Sequence, residues 1–338
     1  MDNIIIIGLL TIVFCVFYQL IFRKLYQKLN LYIGIVERSA HSENVTATGG
    51  ISLFLAVFST TLCFYFSTTF QYYNYSILLP LSILFITGFY DDLENADFKL
   101  KLLLQIIVAK LLIDQGFVLD AFYGPDGILT PNYFVAQIFT TFIFVAIVNS
   151  INFIDGIDGL AISFCLFLLI SINVLSTNNS LTTFNSVMIF GLLPGLYFNF
   201  KKSGKVFLGD SGSLFIGGVI AMNCIHLLDP EVSIKFGLDP NKFLLLGLLI
   251  FYPLVDLSRI VFQRMWQKDS PFKADKSHFH HLVLEKTHSH AKSLLIIIAL
   301  CLSIFFMGLL IWELFDEKGL LAYLILSFLS CVFLVKKR

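Results

Sequence analysis

Charge is scarce in this chain. Asp, Glu, Lys and Arg make up 14% of its 338 residues, against about 25% in a soluble domain. That shortage excludes a large solvated surface. Lys+Arg and Asp+Glu number 23 each, so no bulk positive charge speaks for a nucleic-acid partner. C-x-x-C pairs are missing as well. Each of the six cysteines sits inside an apolar stretch, which excludes a disulfide framework or a cysteine zinc site and leaves them as small apolar residues. There is no internal repeat and no low-complexity tract. The first apolar run, Ile4 to Phe22, lacks a basic leader and a small-residue cleavage site, so it is read as a membrane helix and not as a signal peptide.

What is abundant is apolar surface: 57% hydrophobic residues and a mean hydropathy of +0.83. A spanning helix needs roughly 20 mostly apolar residues. By that template the chain is an all-α polytopic membrane protein of about eleven transmembrane helices. They lie near 3–22, 49–67, 76–90, 101–119, 133–151, 159–177, 184–200, 211–228, 242–262, 293–312 and 319–335. The whole chain, 1–338, reads as one integral membrane domain. Its motifs fall between about 35 and 290, and 293–335 forms two closing helices.

The cationic residues orient it. With the N-terminus outside, loops on the inner side carry 18 Lys and Arg and the outer loops only Lys235, Lys242 and Lys318. The expectation is therefore an external N-terminus and a cytoplasmic C-terminus.

Four polar motifs interrupt this apolar background. Asp91-Asp92 closes the third segment. Adjacent carboxylates at a membrane boundary are costly and are useful where a cation binds or a proton is taken, although a D-D pair alone reads as a solvated helix end. Asp97 reads as the N-cap of the next helix. Asn149–Leu160, N-S-I-N-F-I-D-G-I-D-G-L, wedges Asn152, Asp155 and Asp158 between two membrane segments. Their oxygens suit a hard cation shared with phosphates, and the two D-G pairs allow tight turns. Val206–Gly218, V-F-L-G-D-S-G-S-L-F-I-G-G, sets Asp210 at a helix N-terminus, a place that favours phosphate; the plainer reading is a capping role. Ser270–His281, S-P-F-K-A-D-K-S-H-F-H-H, brings His278, His280 and His281 together near Lys273 and Lys276. This spacing is not the H-E-x-x-H of zinc proteases. His288 and His290 read as surface residues. The 39–50 loop, with His41, Gly49 and Gly50, carries little signal.

The four motifs follow the third, fifth, seventh and ninth segments. An odd number of crossings from an external N-terminus ends inside, so all four share the basic face. A proton- or ion-coupled transporter is the alternative reading, because intramembrane acids mark ion paths. Here the acids sit at segment ends, and no repeat accompanies them.

In this order the D-D, N-x-x-N-x-x-D-G-x-D-G-L, F-x-G-D-x-G-S and H-x-H-H motifs resemble the polyprenyl-phosphate N-acetylhexosamine-1-phosphate transferases, which include phospho-MurNAc-pentapeptide translocase. The S-P-F-K-A-D-K-S-H-F-H-H run looks like the sugar-transferase branch. The resemblance implies a multi-pass enzyme of the bacterial cytoplasmic membrane that moves HexNAc-1-phosphate from a UDP-sugar to undecaprenyl phosphate and releases UMP on the cytoplasmic side. UDP-GlcNAc is the default donor, and UDP-MurNAc-pentapeptide or another UDP-HexNAc is the alternative. By the same resemblance Asp91 and Asp92 are catalytic and Asp210 holds Mg²⁺, with Mn²⁺ as the alternative ion. Asn152, Asp155, Asp158 and Phe207 line the nucleotide and diphosphate, with Phe207 stacking on uracil. His278, His280 and His281 contact phosphate. A homodimer is compatible with this reading. Two departures stand out. The 39–50 loop lacks the family's usual prolines, and the Asn199–Asp210 stretch is about one residue longer than usual.

Overall fold

A computed structural model describes residues 2–31, 45–66, 75–120, 122–124, 127–177, 180–201, 204–235, 241–267 and 278–335. His41, Lys273 and Lys276 lie outside the described residues.

The described chain is built from helices: α1 (Asp2–Lys28), α2 (Gly49–Tyr65), α3 (Leu78–Glu94), α4 (Phe98–Ile113), α5 (Tyr133–Ile154), α6 (Leu160–Leu175), α7 (Thr182–Phe200), α8 (Gly209–Leu227), α9 (Lys242–Leu249), α10 (Phe251–Trp266), α11 (Phe279–Thr287) and α12 (His290–Val335). Short polar side chains start several of them. Asp97 accepts from the Lys99 N–H at 3.2 Å, as expected for an N-cap, and Asn132 and Asn241 do the same for α5 and α9. Asn95, in the left-handed region, ends α3.

Four described helices are long and apolar enough to cross a membrane: Ile4–Lys28, Tyr75–Glu94, Tyr133–Ile154 and His290–Cys331. A fifth appears if α9 and α10 count as one span. The polytopic helical class therefore stands, in a coarser form than the eleven segments expected. Two of those segments take a different shape. The 242–262 stretch breaks at Ile250, and its halves meet at 77°. Pro253 sits in the first turn of the second half, where its missing N–H costs nothing. The last two segments are limbs of α12, broken at Phe315 and Asp316 by non-helical backbone. The Tyr323 hydroxyl donates to the Ile304 carbonyl at 3.4 Å. Nineteen residues of straight helix would separate these by about 28 Å, so the limbs fold back on each other.

Two two-stranded ribbons were not anticipated: β1 (Phe122–Gly124) with β2 (Gly127–Leu129), and β3 (Ser176–Thr177) with β4 (Ser233–Ile234). They lie beyond the starts or ends of α5, α6 and α8, at the end of the bundle away from the Asp91 and Asp210 termini.

Helix α8 is the axis. It packs against α2, α3, α5, α6 and α9, and 16 of its 19 residues are buried. Close approach to α3 depends on Gly88. A Cβ there would lie 2.1 Å from the carbonyl oxygen of Asp210, so only a residue without a side chain lets the backbones meet. That contact sets the end of α3 beside the start of α8.

Candidate active site

The site is assembled around the first turn of α8. The strand-like stretch before it is laced to the start of α2: Phe207 N–H donates to the Thr46 carbonyl at 3.0 Å, and Gly49 and Gly50 donate back to Phe207 and Leu208 at 3.0 and 2.9 Å. Asn199 supports the same stretch, donating to the Val206 carbonyl at 2.9 Å. Phe207 is thereby fixed just before α8, with the Lys205 ammonium 5.1 Å from its ring centroid.

The two adjacent aspartates at the end of α3 do different things. The Asp92 carboxylate accepts from the backbone N–H groups of Asp210 at 2.8 Å and Ser211 at 3.0 Å. It caps α8 from another helix and faces its positive end. Asp91 accepts from the Ala96 N–H at 2.7 Å and pairs with the Lys101 ammonium. Lys101 also reaches Asp210 Oδ2 at 3.3 Å, so one cation bridges the two carboxylates. On the other side Asn152 donates to Asp210 Oδ1 at 3.0 Å and to the Ser213 hydroxyl at 2.8 Å. Asp91, Lys101, Asp210 and Asn152 thus form one connected row from four helices.

Past the end of α5 the chain turns through Asp155 and Asp158. Asp155 is half-buried. Burial, then the charges of Asp210, Asp92 and Asp158, push its carboxyl well above the usual carboxylate range. Asp158 is held by the Lys205 ammonium at 2.5 Å, and its Oδ2 lies 3.3 Å from His290 Nδ1. Its backbone N–H donates to that same nitrogen at 3.2 Å. This corrects the reading of His290 as a surface residue: it touches the D-G-x-D turn.

The histidines close the site from the C-terminal side. His280 is fully buried and lies against Gly156, where a Cβ would come 2.0 Å from its Nε2; the first D-G pair, Asp155-Gly156, is therefore tied to the histidine run by close packing. The His280 and His281 ring centroids are 4.1 Å apart, and His278 lies 5.2 Å from the Phe153 ring. Behind them the buried Asp256 receives His278 Nδ1 at 2.9 Å, the Phe279 N–H at 2.9 Å and an Arg259 guanidinium N–H at 2.9 Å.

The residues singled out in the sequence therefore converge on one end of the bundle. Sequence reasoning missed Lys101, Asp256 and His290. Lys101 entered only as a loop charge, and Asp256 was hidden inside an apolar stretch. The available signal was the i, i+3 acid–base pair Asp256–Arg259 within that stretch, since membrane-embedded ionisable residues pair and mark function.

Among the described residues no three His, Cys, Asp or Glu side chains form a ready-made metal cage. Mg²⁺ characteristically takes one or two carboxylates, several waters and substrate phosphates. The Asp210 side chain, 35% exposed at a helix N-terminus, suits that mode of binding.

The profile of glycosyl transferase family 4 matches residues 74–228, the span that contains Asp91, Asn152 and Asp210. A probable undecaprenyl-phosphate N-acetylglucosaminyl 1-phosphate transferase of Bacillus subtilis is 29% identical over 86% of this chain and 79% of its own length. A decaprenyl-phosphate N-acetylglucosaminephosphotransferase of Mycobacterium tuberculosis is 29% identical over 77% of this chain and 70% of its own. The undecaprenyl-phosphate alpha-N-acetylglucosaminyl 1-phosphate transferase of Salmonella typhi is 30% identical over 78% of this chain and 73% of its own.

Proposed function

Given that the chain belongs to glycosyl transferase family 4, we propose that it transfers GlcNAc-1-phosphate from UDP-GlcNAc to undecaprenyl phosphate and releases UMP. The observation that carries this reading is the row Asp91–Lys101–Asp210–Asn152 at the N-terminus of α8. It offers a carboxylate for a cation, an ammonium for phosphate and a second carboxylate to take a proton, all beside a positive helix end.

In the reaction an oxygen of the acceptor phosphate attacks the β-phosphorus of the donor in line. The bond from that phosphorus to the bridging oxygen breaks, and UMP departs with its electrons. Such transfers depend on positioning and charge neutralisation. Lys101, set between two carboxylates, is placed to turn to a phosphoryl oxygen when substrate enters. Asp91 takes the proton of an acceptor that arrives as the monoanion. Phe207 offers its face to the uracil, and Asp155 and Asp158 border the nucleotide. His278, His280 and His281 hold phosphate from the far side. Mg²⁺ bound at Asp210 would supply charge neutralisation on the diphosphate. The 18-to-3 division of loop cations supports a site that faces the cytoplasm, where UDP-sugars are made, in a bacterial inner membrane.

The test is to give purified enzyme undecaprenyl phosphate and a panel of UDP-sugars. UMP release with UDP-GlcNAc, lost in EDTA and restored by Mg²⁺, is the expected result. No UMP with any donor would overturn it. UMP release from donor alone would replace the one-step route by a covalent aspartyl intermediate.

A further inference from the structure

We infer that Asp256 is a positioning residue for the transfer reaction: its carboxylate sets the orientation and the ring-nitrogen roles of His278, and so prepares the histidine run to hold phosphate. The inference rests on the function proposed above.

Asp256 lies on α10, just past the 77° break, outside the stretch that matches the family profile. It is 3% exposed. An unpaired buried charge is expensive, so such a group persists where its partners satisfy it. Here they do so from two directions. Arg259, one turn on, neutralises it within α10. His278 Nδ1 and the Phe279 N–H approach from the start of α11. The carboxylate therefore grips the histidine run by both a side chain and the backbone, at the residue where α11 begins.

The grip has chemical content. A carboxylate oxygen 2.9 Å from Nδ1 accepts a hydrogen, so Nδ1 carries it and Nε2 is the nitrogen left for other chemistry. A His278 that carries hydrogens on both ring nitrogens donates from Nδ1 to Asp256 and from Nε2 to a phosphate oxygen. Metal-bound histidines use such carboxylate partners to fix tautomer and basicity; here the same arrangement would act on a phosphate-binding histidine. Among the described residues, Arg259 from α10, and His280 and His281 from α11, are the other ionisable groups around His278. Phe153 covers it from α5.

A double-mutant cycle on the full-length enzyme in detergent tests this. Asp256→Asn keeps the shape and removes the charge. Asp256→Asn and His278→Ala should each lower kcat by about 10- to 100-fold, with KM for the UDP-sugar changed less than threefold. The double variant should be no worse than the poorer single one, because both changes break one unit. Multiplicative losses would overturn the inference, as would equal falls in kcat and thermal stability that persist in the His278→Ala background. NMR of ring-labelled histidine gives a second readout that needs no turnover. His278 should carry its hydrogen on Nδ1 in the wild type, and Asp256→Ala should shift that tautomer balance towards Nε2; an unchanged balance would overturn the inference. If wild-type enzyme releases no UMP, the proposed function fails, and this spectrum still decides the role of Asp256.

Discussion

Helices α8 and α12 show two ways in which an apolar sequence can be used. Helix α8 is enclosed by five neighbours, and its small and polar residues are specified one by one. Gly212 meets α2, and Gly218 meets Leu84 of α3; Asp210 and Ser213 bind Asn152. Helix α12 presents Leu295, Phe306, Leu314 and Leu326 outward, each 62–70% exposed. Its requirement is apolarity and length. Around α8 a side chain sets geometry, whereas on the outer faces of α12 it sets solubility in lipid. Helix α12 is the more apolar of the two and passes for a membrane span, which α8 does not, and their tolerance to change should differ widely.

The sharpest test of that contrast is Asp210→Ala. It removes the charge that Lys101 and Asn152 converge on and should lower UMP release by about 1,000-fold, the upper end for losing an electrostatic group that acts in the transition state. Normal Mg²⁺-dependent turnover in this variant would remove Asp210 from the site. Next in size is Gly88→Leu. Its side chain would enter the backbone of Asp210 and Ser211 and should cost about 1–3 kcal/mol by overpacking, read as a lower melting temperature together with lost activity. Lys205→Ala frees Asp158 from its ion pair and Phe207 from its cation. It should reduce kcat/KM for the UDP-sugar about 10-fold, the scale of a hydrogen bond to a charged group, with an unchanged melting temperature. The smallest effect belongs to α12: Leu326→Ala, at 65% exposure, should leave turnover within twofold and stability within about 0.5 kcal/mol. A larger loss would mean that this limb has a protein partner, and the comparison would break.

Sequence was most informative where polar residues interrupt apolar runs, because each such interruption costs free energy and needs a reason. Asp91, Asn152, Asp155, Asp158, Asp210 and the histidines stood out on that ground, and the structure brings them to one end. The N-cap Asp97 was legible from its local spacing. The duties of Asp91 and Asp92 were not separable, because the partner that distinguishes them, the start of α8, lies 118 residues away. His290 looked like surface for the same reason: its contact with Asp158 spans 132 residues. The break at Ile250 left only Pro253 as a trace, since apolar residues continue through it. Hydropathy reports the solvent of a segment, and long-range pairing decides its shape.

The bond from α8 to Asp92 also bears on how the protein is made. Asp92 leaves the ribosome 118 residues before the Asp210 N–H that it will accept. At about 5–20 residues per second, that leaves roughly 6–24 s in which Asp92 waits at the membrane surface, hydrated and without its helix end. Docking of α8 against α3 closes that interval and completes the Asp91–Lys101–Asp210–Asn152 row in the same event. A chain arrested before α8 is inserted would hold most of its site carboxylates and still have no site. The candidate site therefore exists only once the membrane core is assembled.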